Sequence, residues 1–375
     1  MSLVLGLLVF ILGTCVCATG NSMRLVEKIL PPYWIGHFKP NGRLRPFFGW
    51  IGRHANGPGN RTKHMIEAFG NYYINPNLAY AQSSWSMEHL ESTVTRAVRR
   101  NVPIVMNQNG WYYPAWYPGD WKLANKQLLQ AHQRSNRVIF QSHFCVEAMS
   151  ALTGVMPHQP VVLHNAVNVP TGNFTVRNPS RPILWLSGAF HRDADHILLP
   201  ALEAIEILSQ EMKEDSPLLK IAGYFDQGAL KSEWYGKVQS KLISLVSRRR
   251  CLWLGKYAAS ELPGLIEDVS LGLHLTSKDS CPNAVLERMA LGVGHIYAKS
   301  GGTPELIGEA GIGVNSPLDW NRQTPVNVDE LVEAMKLGLG CWRILGSKSL
   351  NRVKEKFSWD KYISAHKKFF LEVSS

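Results

Sequence analysis

The chain is short of cysteine, and the cysteines it has form no pattern. Six fall in 375 residues: Cys15, Cys17, Cys145, Cys251, Cys281 and Cys341. Two sit in an N-terminal apolar run and the other four are far apart. That scatter excludes a metal site built on cysteine spacing and reads as reduced, packed thiols of an intracellular-facing protein. Negative charge is also in short supply. Asp and Glu total 29 against 40 Lys and Arg, a formal net charge of +11. Such an excess suits nucleic acid, an anionic membrane surface or a phosphorylated ligand, or is simply a solvated basic surface. The basic residues are dispersed, apart from Arg99-Arg100 and Arg248-Arg249-Arg250. Neither zinc-finger spacing, nor a ribonucleoprotein motif, nor a basic stripe interleaved with aromatics occurs, so nucleic acid is not the expected partner.

What is present is ordinary globular material: 45% hydrophobic and 18% charged residues, in a chain long enough for two domains. One long apolar run stands out, residues 2–19, within an N-terminal segment 1–22. Its length is about the shortest that spans a bilayer, and it also fits the apolar part of a signal peptide. Arg24 and Lys28 follow it, which by the positive-inside tendency keeps the remainder in the cytoplasm. The expectation is a membrane-associated protein with its main body facing the cytoplasm. Two readings stand beside it: a secretory-pathway lumen, or a soluble cytoplasmic chain translated from Met23.

The stretch Ser277 to Glu305 organises the rest. It carries two carboxylates, Asp279 and Glu287, around Ser280-Cys281-Pro282-Asn283 and the start of a helix pattern. Pro282 suits a helix start, where a missing N–H costs nothing. The unbonded N–H groups of that first turn, Asn283 and Ala284 among them, form an anion site. Amides for a diphosphate, flanked by acids for hydroxyl groups, have the shape of a nucleotide-sugar site.

The same stretch resembles the signature of the group-1, family 4-like glycosyltransferases, retaining enzymes of the GT-B fold. The matching residues are Asp279, the run Leu286-Glu287-Arg288-Met289-Ala290-Leu291-Gly292, and Gly301-Gly302-Thr303-Pro304-Glu305. Asp279 stands where the family has Glu, and Gly294 where it usually has Pro. The resemblance implies an α/β chain of two Rossmann-like, doubly wound domains facing across a cleft. It implies transfer of a sugar from a nucleotide sugar to a glycan, lipid or small-molecule acceptor with retention. Glu287 would bond the ribose, Asp279 would contact the transferred sugar, and neither a metal nor another cofactor would be required. In the family a Gly-Arg loop and a later Lys meet the diphosphate. Here the loop reads Gly188-Ala189-Phe190-His191-Arg192, leaving Arg192, and Lys256 after a later strand, as candidate cations.

Along the chain, alternating apolar strands and amphipathic helices predict a first unit over 23–168, a polar linker over 169–181, and a second unit over 182–350. A helix over 351–375 would cross back to the first unit. In that first unit Pro46 to Ile51 reads as a strand, the loop Gly52 to Asn60 carries Gly57-Pro58-Gly59, and a helix begins near Arg61. A strand over Val102 to Met106 runs into Asn109 and an aromatic block from Trp111 to Trp121. Gly57, Gly59, Arg61, Asn109 and Trp111 are the candidate acceptor-side residues. The aromatics read equally as a sugar-stacking surface or a packed loop. In the second unit Gly188, Asp279 and Gly301 fall at the carboxyl ends of strands, where doubly wound sheets bind ligands. Two other functions suit the same pattern: a nucleotide-sugar epimerase, and a non-catalytic nucleotide-sugar-binding protein.

Overall fold

The computed structural model describes residues 44–49, 57–72, 75–170 and 178–374. The apolar run 2–19, residues 52–56 of the expected loop Gly52 to Asn60, and residues 171–177 of the expected linker lie outside the described residues. Five parallel strands build the first sheet in chain order: β1 (Pro46–Phe47), β2 (Leu78–Gln82), β3 (Ile104–Gln108), β4 (Arg137–Phe140) and β5 (Val161–Val162). Between them run helices α1 (Gly57–Phe69), α2 (Met87–Arg99), α3 (Trp121–Gln133) and α4 (His143–Thr153). A parallel sheet is covered on both faces, so its strands are apolar on both sides, and in β2 and β3 the polar residues Gln82, Asn107 and Gln108 stand only at the carboxyl ends. In β2, Ala79 and Ala81 face a cluster with Val94 and Leu128, while Leu78 and Tyr80 face another with Phe48 and Met65.

The second sheet is built from β6 (Ile183–Phe190), α5 (Asp195–Glu211), β7 (Leu218–Phe225), α6 (Tyr235–Ser247), β8 (Cys251–Gly255), β9 (Leu271–His274), α7 (Asn283–Ala290), β10 (Gly294–Ala298), α8 (Thr303–Ile307) and β11 (Gly311–Val314). Its spatial order is β11-β10-β9-β6-β7-β8, all parallel. The chain goes outward from β6 to β8, then returns to place β9 on the other side of β6. The carboxyl ends of β6 and β9 are therefore a topological switch point, where sheets of this kind open a crevice. Asp279 follows β9, and α7 leads from that crevice to β10.

Two helices close the chain, α9 (Val328–Lys356) and α10 (Trp359–Ser374). α10 packs on the first sheet, where Tyr362, Phe369 and Phe370 join Phe48, Met65 and Tyr80. Two local outcomes differ from the sequence reading. The helix expected near Arg61 begins at Gly57, so Gly57-Pro58-Gly59 forms its first turn, a position in which proline is tolerated. And β6 does not stop at Gly188. It continues to Phe190, paired with β7 throughout, and the Phe190 ring packs at a tilt against Phe225 (5.5 Å) and Trp253 (6.1 Å). That pairing is tight: a Cβ on Gly223, whose φ is +144°, would lie 1.9 Å from the Gly188 carbonyl oxygen.

Candidate functional site

Helix α7 is positioned by its apolar side. Val285, Leu286, Met289 and Ala290 are buried in a cluster with Tyr297, Leu306 and Phe357. Pro282, in extended conformation, caps the helix and Asn283 opens it. Its first turn faces the crevice, and Glu287 lies one turn further in, half-buried. Burial pushes the Glu287 carboxyl up, and the Arg288 guanidinium pulls it the other way.

Asp279 is held by backbone. Gly302 N–H donates to the Asp279 carbonyl at 2.7 Å, and the Asp279 carboxylate accepts from Cys281 N–H at 3.3 Å. The Gly301-Gly302 pair makes this possible. Gly301 has φ +70°, and a Cβ there would lie 2.3 Å from the Asp279 carbonyl oxygen. The glycine pair thus seats the loop that bears the acid. Burial raises the Asp279 carboxyl to about 6, and the Cys281 amide opposes the shift. His274 lies 3.7 Å away, but burial and Arg288 lower it to about 3, so it faces Asp279 as a neutral ring.

The two acids open into two neighbouring pockets between the sheets. The larger, about 680 Å³, is lined by Asn283, Ala284 and Glu287 of the second domain and by Asn60, Arg61, His64 and Asn165 of the first. The smaller, about 330 Å³, holds Lys278, Asp279 and Ser280 opposite Ser83, Asn109, Trp111 and Trp116. Asn165 of the larger pocket donates to the Cys281 carbonyl (3.0 Å), and Cys281 lines the smaller, so this contact is the wall between them.

The expected residues distribute as follows. Asp279, Asn109 and Trp111 share the smaller pocket; Glu287, Asn283, Ala284 and Arg61 share the larger. Pro282 is buried at the helix cap. Gly57 and Gly59 lie in the α1 turn preceding Asn60 and Arg61. Trp111 is 4% exposed, with its indole N–H bonded to the Cys145 carbonyl, so it packs, whereas Trp116 is 43% exposed and stacks near Tyr112. Gly188, Arg192 and Lys256 line neither pocket. The exposed Arg192 pairs with Asp193 at 3.0 Å and reaches the Trp116 carbonyl at 3.4 Å. Lys256 sits over the Tyr224 ring.

Three groups were not foreseen. Lys278, buried beside Asp279, donates to the Arg322 carbonyl, and burial lowers its ammonium to about 8. His64 and Trp359 stack at 4.1 Å on the wall of the larger pocket. Glu305 turns to the first domain, accepting from the His143 and Phe144 amides at the start of α4 (2.8 and 2.9 Å) and lying 2.9 Å from His164. Lys278 and Glu305 stood in the signature stretch, Glu305 without a role assigned to it; the contacts of Glu305, His64 and Trp359 depend on how the two domains meet. The four cysteines among the described residues are free thiols, three of them buried. Among the described residues no group of three or more His, Cys, Asp or Glu could hold a metal ion, and no helix is long and apolar enough to cross a membrane.

No protein-family model matches the chain. No curated protein matches it either. Solved structures do. HepE from Anabaena, in complex with UDP, aligns with a TM-score of 0.63 and 15% identity over 95% of this chain and 90% of that one. A glycosyltransferase from Rickettsia africae aligns at 0.60 and 14% identity over 95% and 88%. Sucrose-phosphate synthase from Thermosynechococcus elongatus aligns at 0.57 and 14% over 86% and 80%. At such identities the likeness defines the architecture: two Rossmann-like, parallel-sheet domains in the GT-B arrangement.

Proposed function

We propose that the chain is a glycosyltransferase that takes a sugar from a nucleotide-sugar donor and transfers it with retention to a glycan or lipid acceptor. The observation that carries the reading is the pairing of two acids with one helix start. The α7 amides and Glu287 open into the 680 Å³ pocket, and Asp279 opens into the adjoining one at the switch point of the second sheet. The fold supports it too, because structures of this architecture include HepE in complex with UDP-glucose and the galactosyltransferase WaaB.

In this mechanism Glu287 accepts from the ribose hydroxyls, and the amides of Asn283 and Ala284 hold the diphosphate. Charge builds on the leaving diphosphate as the glycosidic bond breaks, so fixed donors aimed at it favour the transition state. Asp279 accepts from hydroxyls of the transferred sugar. The acceptor enters from the Asn109 and Trp116 side, attacking from the face that the diphosphate leaves. The fold is shared by epimerases, and no observation in the site favours that chemistry over transfer. If residues 2–19 anchor the chain, the acceptor is delivered at a membrane surface, where a lipid-linked glycan fits best.

The test is to incubate the full chain with common nucleotide sugars, with and without an acceptor panel, and measure released nucleoside diphosphate and glycosylated product. Transfer that disappears in Asp279→Asn is the expected outcome. A new sugar nucleotide formed without acceptor would overturn it in favour of epimerisation.

A further inference from the structure

Among the described residues Arg61 is a buried cation without a counter-charge. It is 4% exposed. One terminal nitrogen donates to the Asn165 side-chain oxygen at 2.6 Å and the other to the Gln82 side-chain oxygen at 2.9 Å. The Gln141 amide, assigned by its neighbours, also turns its oxygen to the guanidinium, 3.0 Å from Nη2. Nε is buried with no partner among the described residues. Every one of these contacts is to a neutral amide, and among the described residues no carboxylate lies within ion-pair distance. Tyr80 and Tyr362 below it stay protonated, because burial raises both phenols. A guanidinium taken out of water with only dipoles around it is costly, and proteins retain such a group where an anion completes it.

Its position says which anion. Arg61 lines the same pocket as Asn283 and Ala284. Its partner Asn165 bonds the Cys281 carbonyl two residues before that helix begins. A full positive charge and the positive end of a helix thus converge on one cavity from opposite domains, an arrangement that an anion between them would stabilise. On the second domain the expected cations are engaged elsewhere, Arg192 with Asp193 and Lys256 over Tyr224. Glu287 shares the pocket without pairing with Arg61.

We propose that Arg61 binds the diphosphate of the donor, so that the first domain supplies a cation to the larger pocket, which no described Lys or Arg of the second domain lines. Gln82, Gln141 and Asn165 are positioning residues that hold its planar fork toward the pocket. The proposal rests on the nucleotide-sugar reading and deepens it. Because Arg61 and the α7 amides belong to different domains, the diphosphate bridges them, and its binding ties the two together.

The test is calorimetric titration of the purified full chain with UDP, GDP, ADP and CDP, and with the nucleoside of whichever binds. Arg61→Gln should weaken the nucleoside diphosphate roughly ten- to a hundredfold, the range for a hydrogen bond to a charged group. Affinity for the nucleoside should stay unchanged. Arg61→Lys should fall between the two, because it keeps a charge and loses the fork. If Arg61→Gln does not fold, the Lys variant alone must lose diphosphate affinity severalfold at constant nucleoside affinity. Equal losses for diphosphate and nucleoside, or no loss for either, would overturn the assignment. If the wild-type chain binds none of the four, the nucleotide-sugar reading itself fails, an outcome distinct from failure of Arg61.

Discussion

Removing the Glu305 carboxylate should loosen the contact between the domains. Three donors meet it: the His143 and Phe144 amides at the start of α4, and the His164 ring, all within 2.9 Å. Burial raises the Glu305 carboxyl, but His164 and the two amides outweigh that, and the net shift is downward. The carboxylate is 20% exposed, so solvent screens the contact only partly. Hydrogen bonds to a charged group are worth about 1.5–3 kcal/mol each, and the amides at a helix start regain part of that from water. Glu305→Ala should therefore destabilise the chain by about 2–4 kcal/mol, lowering Tm by roughly 4 °C or more. The pH dependence follows from the depressed carboxyl. Its contribution is present above the unfolded value, about 4.3, and is lost as pH falls through the folded one. The difference between wild type and variant should be full at neutral pH and shrink in acid. Thermal melts of both proteins across pH measure it, with His164→Ala completing a double-mutant cycle. A Tm change under about 1 °C at pH 7, or coupling to His164 indistinguishable from zero, would refute the reasoning.

Other expectations follow from the same geometry. Asp279→Asn should raise Tm most above pH 6 and leave it nearly unchanged near pH 4, since a carboxyl raised to about 6 in the fold costs stability progressively as pH rises from its unfolded value, about 3.9, and in full above the folded one. Gly294→Ala should cost about 1–3 kcal/mol by denaturant melt, because the added Cβ would meet Leu345 Cβ at 2.4 Å. Gly301→Ala, at φ +70° against the Asp279 carbonyl, should reduce transfer more than it reduces nucleoside affinity, since it displaces Asp279 and leaves the Glu287 pocket intact.

The α7 half of the site was legible because its parts are close in sequence. A proline at a helix start, an acid one turn inside and a glycine pair after the next strand are local features, and the backbone rules that shape them are local too. Gly294 looked like a bare departure from a family pattern; the structure gives it a reason, the close approach of α9 to β10 at Leu345. The role of Arg61 was not legible. From sequence it sat in a helix on the acceptor side, and only the meeting of two domains brings it to the α7 pocket. Arg192 was chosen for its place after Gly188, but β6 runs on to Phe190, and Arg192 lines neither pocket, reaching only the Trp116 carbonyl at the rim of the smaller one. Aromatic residues gave no local sign of which would pack, as Trp111 does, and which would stay exposed, as Trp116 does.

The central claim is that the α7 pocket holds a nucleotide through Glu287. The most direct measurement is the affinity of wild type and Glu287→Ala for the nucleoside diphosphate that binds best, with a melt to show that the variant folds. A loss of roughly tenfold or more in the folded variant is predicted, the scale of lost hydrogen bonds to a carboxylate. Undiminished binding by folded Glu287→Ala would contradict the account.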